Sequence, residues 1–186
     1  MLLVQMVGVS GNRAGSLALF AALSLVAGCA TSQTRNPSSV QYRSVAEISK
    51  ADYMPVTQAA NDMILAMQRV TEDLPQIYNS APFAKLINRW AAANENLAMT
   101  VDWLAEQHPE ICLPQLLDSP EFFRSLDLSA RAAMTQQQMN RQALLEHMKT
   151  AYSVFSADKE VRKAMERLGR SAKRIRKIPQ TFGGAY

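Results

Sequence analysis

From Pro82 to Gln107 the sequence reads PFAKLINRWAAANENLAMTVDWLAEQ, with apolar residues at Phe83, Ile87, Trp90, Leu97, Val101 and Leu104. The steps alternate between four and three residues, and Asn94 fills the one remaining position of the series. That period belongs to one stripe of an amphipathic helix and not to a strand, whose side chains alternate every second residue. Pro82 suits a first helical turn with Ser80 or Ala81 near the cap, and Pro109 predicts a stop near His108.

The same rhythm extends to both sides. Upstream, Val56, Ala60, Met63, Met67, Val70 and Leu74 predict a helix opening at about Pro55 and broken at Pro75 and Tyr78-Asn79-Ser80. Downstream, Pro114 and Pro120 interrupt residues 110–128, so a connector with one or two short helices is expected there, with Phe122, Phe123 and Leu126 turned inward to plug one end. A third long helix is predicted over about Ser129–Phe155, apolar at Leu144, Met148, Ala151 and Phe155, and weakly amphipathic through its glutamine-rich first half. The last is predicted from Ser156 to Asp158 as far as Ile178, ahead of Pro179, on Val161, Met165, Leu168, Ala172 and Ile175.

Four stripes joined by modest loops predict an all-α fold, most simply an antiparallel bundle of about four long helices with a short helical connector; an elongated coiled-coil hairpin is the rival. Composition agrees, since Ala, Leu, Met, Gln, Glu, Lys and Arg dominate from residue 55 onward and no run rich in Val, Ile and Thr alternates. The length of 186 residues suits one domain. Cys29 and Cys112 are the only cysteines, which excludes a disulfide framework and an all-cysteine zinc site.

The N-terminal part has a different character. Ser16 to Val26 reads SLALFAALSLV, an apolar run shorter than the roughly 20 residues of a spanning helix, and it ends Leu25-Val26-Ala27-Gly28-Cys29. This ending resembles the lipobox of bacterial lipoproteins: a branched apolar residue, small residues, then cysteine. The resemblance covers only the first 29 residues and does not extend to the domain that follows. It implies a signal peptide over 1–28, cleavage before Cys29 and lipid on its thiol. Ala30, where an aspartate would favour inner-membrane retention, tilts the implied address toward an outer membrane, facing the periplasm. Residues 29–43 then read as a polar tether, and 44–186 as the folded domain, beginning near Ser44 to Asp52.

Charge divides the remaining chain unevenly. Residues 29–161 carry 11 basic and 15 acidic side chains, whereas 162–186 carry 8 and 1. Arg162, Lys163, Arg167, Arg170, Lys173, Arg174, Arg176 and Lys177 surround the last apolar stripe. Such a helix is either a solvated face whose cations neutralise acidic helices beside it, a contact for anionic lipid or lipopolysaccharide, or a dock for a protein partner. Nucleic acid is disfavoured by the implied address and by the lack of aromatic residues within the helix.

Catalytic patterns are sparse. Ala105 and Leu144 stand three residues before His108 and His147, where a di-iron bundle would need glutamate, and HExxH, Walker and nucleotide-binding glycine motifs are absent. Glu95, Asp102 and Glu106 share a helix face, as a solvated acidic surface or a cation ladder. Cys112, between Ile111 and Leu113, suits a buried small hydrophobe better than a nucleophile. Trp90 and Trp103 read as core, or as the lining of an apolar ligand cavity; Asn94 reads as a register-setting polar residue, or one facing a groove.

The expected function is therefore non-enzymatic, with no cofactor, metal or catalytic residue. The chain is expected to be tied to a membrane through lipidated Cys29 and to bind or scaffold a component of secretion, pilus or cell-wall machinery. In architecture and address it resembles pilotins, small helical lipoproteins that escort secretin subunits. The alternative is a module that grips anionic lipid or lipopolysaccharide with its basic C-terminal helix.

Overall fold

Ser49 starts the first long helix by accepting a hydrogen bond on its hydroxyl from the Ala51 N–H, and α1 follows over Lys50–Asp73. The computed structural model describes residues 42–183, without the side chains of residues 138 and 176–183. Pro55 therefore lies inside α1, one turn later than the sequence suggested. Its ring removes the hydrogen bond that would reach Ala51, an exposed residue near the helix end, where the loss costs least. A 3-10 turn at Leu74–Gln76 closes α1, and α2 runs over Ser80–Gln107. Two short helices, α3 at Leu113–Leu117 and α4 at Pro120–Ser125, lead to α5 at Leu128–Phe155 and α6 at Lys159–Gly183. The backbone of α6 continues past Ile178 and through Pro179, where helix was not expected. A proline that close to a terminus forfeits a single internal hydrogen bond.

The chain folds as an all-α helical bundle, with one isolated bridge between Arg43 and Ile111 as the sole β pairing among the described residues. Most of the stripe positions predicted for the long helices are buried, including Val56, Val70, Phe83, Ile87, Trp90, Val101, Leu104, Leu144, Met148 and Val161, while Met165, Ala151 and Phe155 are half-buried at its margin. Phe122 and Leu126 turn inward from the connector as expected, but Phe123 is 45% exposed. Phe122 already occupies that space, stacked obliquely on Tyr53 with ring centres 6.2 Å apart.

Paired residues fix the direction of each helix. Along α2 and α6, Ser80 meets Asp158, Glu95 meets Arg167 and Asp102 meets Arg174, so the numbers rise together and the two helices are parallel. Along α1, Thr57 meets Ser125 at the end of α4, Asn61 accepts from the N–H of Asp127 just ahead of α5, and Gln137 of α5 donates to the Ile64 carbonyl, so α5 runs parallel to α1 as well. Consecutive long helices still alternate in direction. What makes packed neighbours parallel is the connector, which crosses one end of the bundle and starts α5 beside the start of α1. The largest interface is between α2 and α6, and the next between α2 and α1.

Six polar side chains are buried among the described residues, and two of them, both amides, leave an oxygen unmatched. Asn94 is fully buried and donates from Nδ2 to Ser171 Oγ across the α2–α6 seam at 3.4 Å, while its Oδ1 has no hydrogen-bond partner. The Gln137 amide, 3% exposed, likewise leaves its oxygen unmatched. A buried acceptor without a donor costs about 1–3 kcal/mol. Asn94→Leu is thus expected to leave stability unchanged or raise it by about 1 kcal/mol in urea unfolding. Ile87→Ala, by contrast, should lower it by about 2–5 kcal/mol through the cavity it leaves.

Candidate functional site

The basic residues of α6 do not form one uniform face. Arg167 reaches across to α2 and holds Glu95 with both arms of its guanidinium, Nε to Oε1 at 2.9 Å and Nη2 to Oε2 at 2.7 Å. One heptad further on, Arg174 pairs with Asp102 through Nη2. Both pairs join residues 72 positions apart, which is what two parallel helices with matched stripes produce. The solvated acidic face expected on α2 is corrected in part: Glu95 and Asp102 border the seam at 35% and 40% exposure and are neutralised by arginine, whereas Glu106 is exposed.

The remaining cations divide further. Arg162 donates to the carbonyls of Ser156 and Ala157 at the start of α6, and Lys163 pairs with Glu160 one turn back. Arg170 and Lys173 are exposed. Arg176 and Lys177 belong to α6, but their side chains lie outside the described residues, as does the whole of Cys29.

Electrostatics at the α2–α6 seam follow this geometry. The Arg167 hydrogen bonds hold the Glu95 carboxyl below its ordinary value of 4.5, with partial burial opposing them and the charges of Arg167, Arg170 and Arg174 reinforcing them. The Arg167 guanidinium is raised in turn, chiefly by its hydrogen bond to Glu95. At the other end of the seam, Asp158 accepts from the Ser80 hydroxyl and, at 2.8 Å, from the Glu160 N–H, and both hold its carboxyl below the usual range. Asp158 thereby caps α6 and ties its first turn to the first turn of α2.

The other candidates are dispersed. Cys112 is buried at the start of α3. His108 lies 3.4 Å from Glu110, whose carboxylate also approaches Arg43 at 3.8 Å. No group of three or more His, Cys, Asp or Glu among the described residues is placed to hold a metal ion. Trp90 and Trp103 share no cavity: Trp90 is 1% exposed in the core, whereas Trp103 is 43% exposed beside Met99 and Pro55 on the outside of α1 and α2. Among the described residues no helix is long and apolar enough to cross a membrane. No family model, curated protein or solved structure matches the chain.

The cross-helix pairing was within reach of sequence reasoning. Glu95 and Asp102 are seven apart, as are Arg167 and Arg174, and each pair flanks a four-three stripe. The missing element was the direction of α6 relative to α2, which depends on the connector.

Because the folded-state pKa of Glu95 is depressed, its contribution to stability is complete above the ordinary value of 4.5 and is lost as pH falls through the lower folded value. Glu95→Gln should lower stability by up to about 1 kcal/mol at neutral pH, the upper range for a pair still partly in solvent. The difference from the parent chain should shrink on acidification below 4.5. Urea unfolding of both proteins across that range checks the sign.

Proposed function

We propose that this chain is a lipid-anchored, non-enzymatic protein of a bacterial envelope whose helical bundle binds or scaffolds another envelope component. The address rests on the sequence Leu25-Val26-Ala27-Gly28-Cys29. The binding role rests on one observation above others, the exposure of Trp103 at 43% and Met99 at 53% one turn apart on α2. Tryptophan and methionine are enriched at protein interfaces, and tryptophan dominates their energetics when a partner covers it. A buried aromatic of this size would add to the core, whereas an exposed one contributes little to the isolated domain.

The ion pairs narrow the surface on which such a partner is sought. Arg167 and Arg174 already have carboxylate partners in the bundle, so they offer less to an acidic ligand than their sequence suggests. A photoreactive residue placed at position 103 in the full chain should form a discrete crosslinked complex in the envelope, and Trp103→Ala should reduce recovery of that complex at least about tenfold. A chain that yields no adduct from position 103 and migrates as a lone monomer would contradict the reading.

A further inference from the structure

The chain enters the bundle just beyond the end of α2. Arg43, placed in the tether by its sequence, is fixed by a 2.9 Å hydrogen bond from its N–H to the Glu110 carbonyl and by a bridge to Ile111. Residues 113–117 follow as α3, which packs against α6. Since α6 runs parallel to α2, and α2 ends where this connector begins, the contact is with the C-terminal half of α6. The thirteen peptide steps from Cys29 to Tyr42 span at most about 45 Å, so an anchor at Cys29 keeps this end of the bundle close to the surface that holds it.

That half of α6 is also the most basic part of the protein. Arg170, Lys173, Arg174, Arg176 and Lys177 lie within eight residues and no acid interrupts them. Asp102 occupies Arg174, while Arg170 and Lys173 remain exposed. Glu106, Asp118 and Glu121 are exposed at the same end of the bundle on α2 and the connector, and Lys50 is exposed at the start of α1; on α6 itself Glu166 is exposed one turn before Arg170, but Arg170, Lys173, Arg176 and Lys177 outnumber it. An anionic surface would thus be met by the side of α6 and not by the connector cap.

We propose that the outward side of the C-terminal half of α6, around Arg170 and Lys173, rests on the anionic phosphate surface of the membrane that holds Cys29, and orients the bundle upon it. The orientation rests on the anchored reading; the α6 contact stands on geometry and charge. A diacylglyceryl group on Cys29 would already hold the chain with two acyl chains, so the basic side of α6 would orient the bundle and not retain it. Juxtamembrane lysines and arginines act over about a Debye length, so the contact should weaken with salt.

The test uses the full chain carrying Cys29→Ser, which cannot be lipidated, with vesicles of phosphatidylglycerol and phosphatidylcholine against phosphatidylcholine alone. The ratio of binding to the two should fall at least about tenfold with Arg170→Glu and Lys173→Glu together. The same reversal at Lys85 and Arg89, exposed near the far end of α2, should leave it within about twofold. Circular dichroism of both variants controls for folding. An unchanged ratio in the α6 variant, or an equal loss in the α2 variant, would overturn the proposal. The mass of the processed wild-type chain reads lipidation separately, so a failure of the anchor and a failure of the α6 surface are told apart.

Discussion

The parallel seam between α2 and α6 is the constraint on which the rest of the bundle depends. Two apolar stripes of the same period can slide along each other by one heptad and still bury their residues, so hydrophobic burial alone does not choose the register. The polar groups choose it. Were α6 displaced so that Arg167 faced Asp102, Glu160 would come opposite Glu95, and like charges would meet. Displaced the other way, Arg174 would face Glu95 and Thr181 would leave Asp102 without a cation. Asn94 would meet Ala164 or Ile178 instead of Ser171, leaving its whole amide unpaired in the core. In the native register alone both ion pairs form and Asn94 keeps a partner.

Fixing that register also divides the charge of α6. One edge of the helix is used internally, by Glu95 and Asp102, and gives modest stability because both pairs are partly in solvent. The adjoining side carries Arg170 and Lys173 outward. The strongly basic C-terminal segment thus has cations paired within the fold and cations left in solvent, separated by the turn of the helix. Neutralisation is therefore incomplete by construction: the acids that α2 brings to the seam recur once per heptad, whereas the cations of α6 recur on both sides of its apolar stripe.

Much of this arrangement is legible in the sequence. The four-three spacing of Phe83, Ile87, Trp90, Leu97, Val101 and Leu104 identified a buried stripe, because a period close to 3.6 leaves one face in common. Asn94 fell on that stripe and proved to be fully buried, as a register-setting residue would be. Less could be read where neighbours decide the outcome. Phe123 is apolar and adjacent to Phe122, and only the position of Tyr53 determines which of the two is covered. Trp103 continues no stripe, and its place on the outer face of α2 follows from where α1 lies. The proposed lipid anchor at Cys29 rests on the sequence alone.

Distances between spin labels give the most direct test of the parallel seam. Labels replacing Lys85 and Lys163 should lie roughly 10 Å closer than labels replacing Lys85 and Lys173, given a rise of about 1.5 Å per residue along parallel helices. All three positions are exposed, so labelling leaves the core intact. The reverse order, with positions 85 and 173 the closer pair, would mean that α6 runs antiparallel to α2 and would contradict the account.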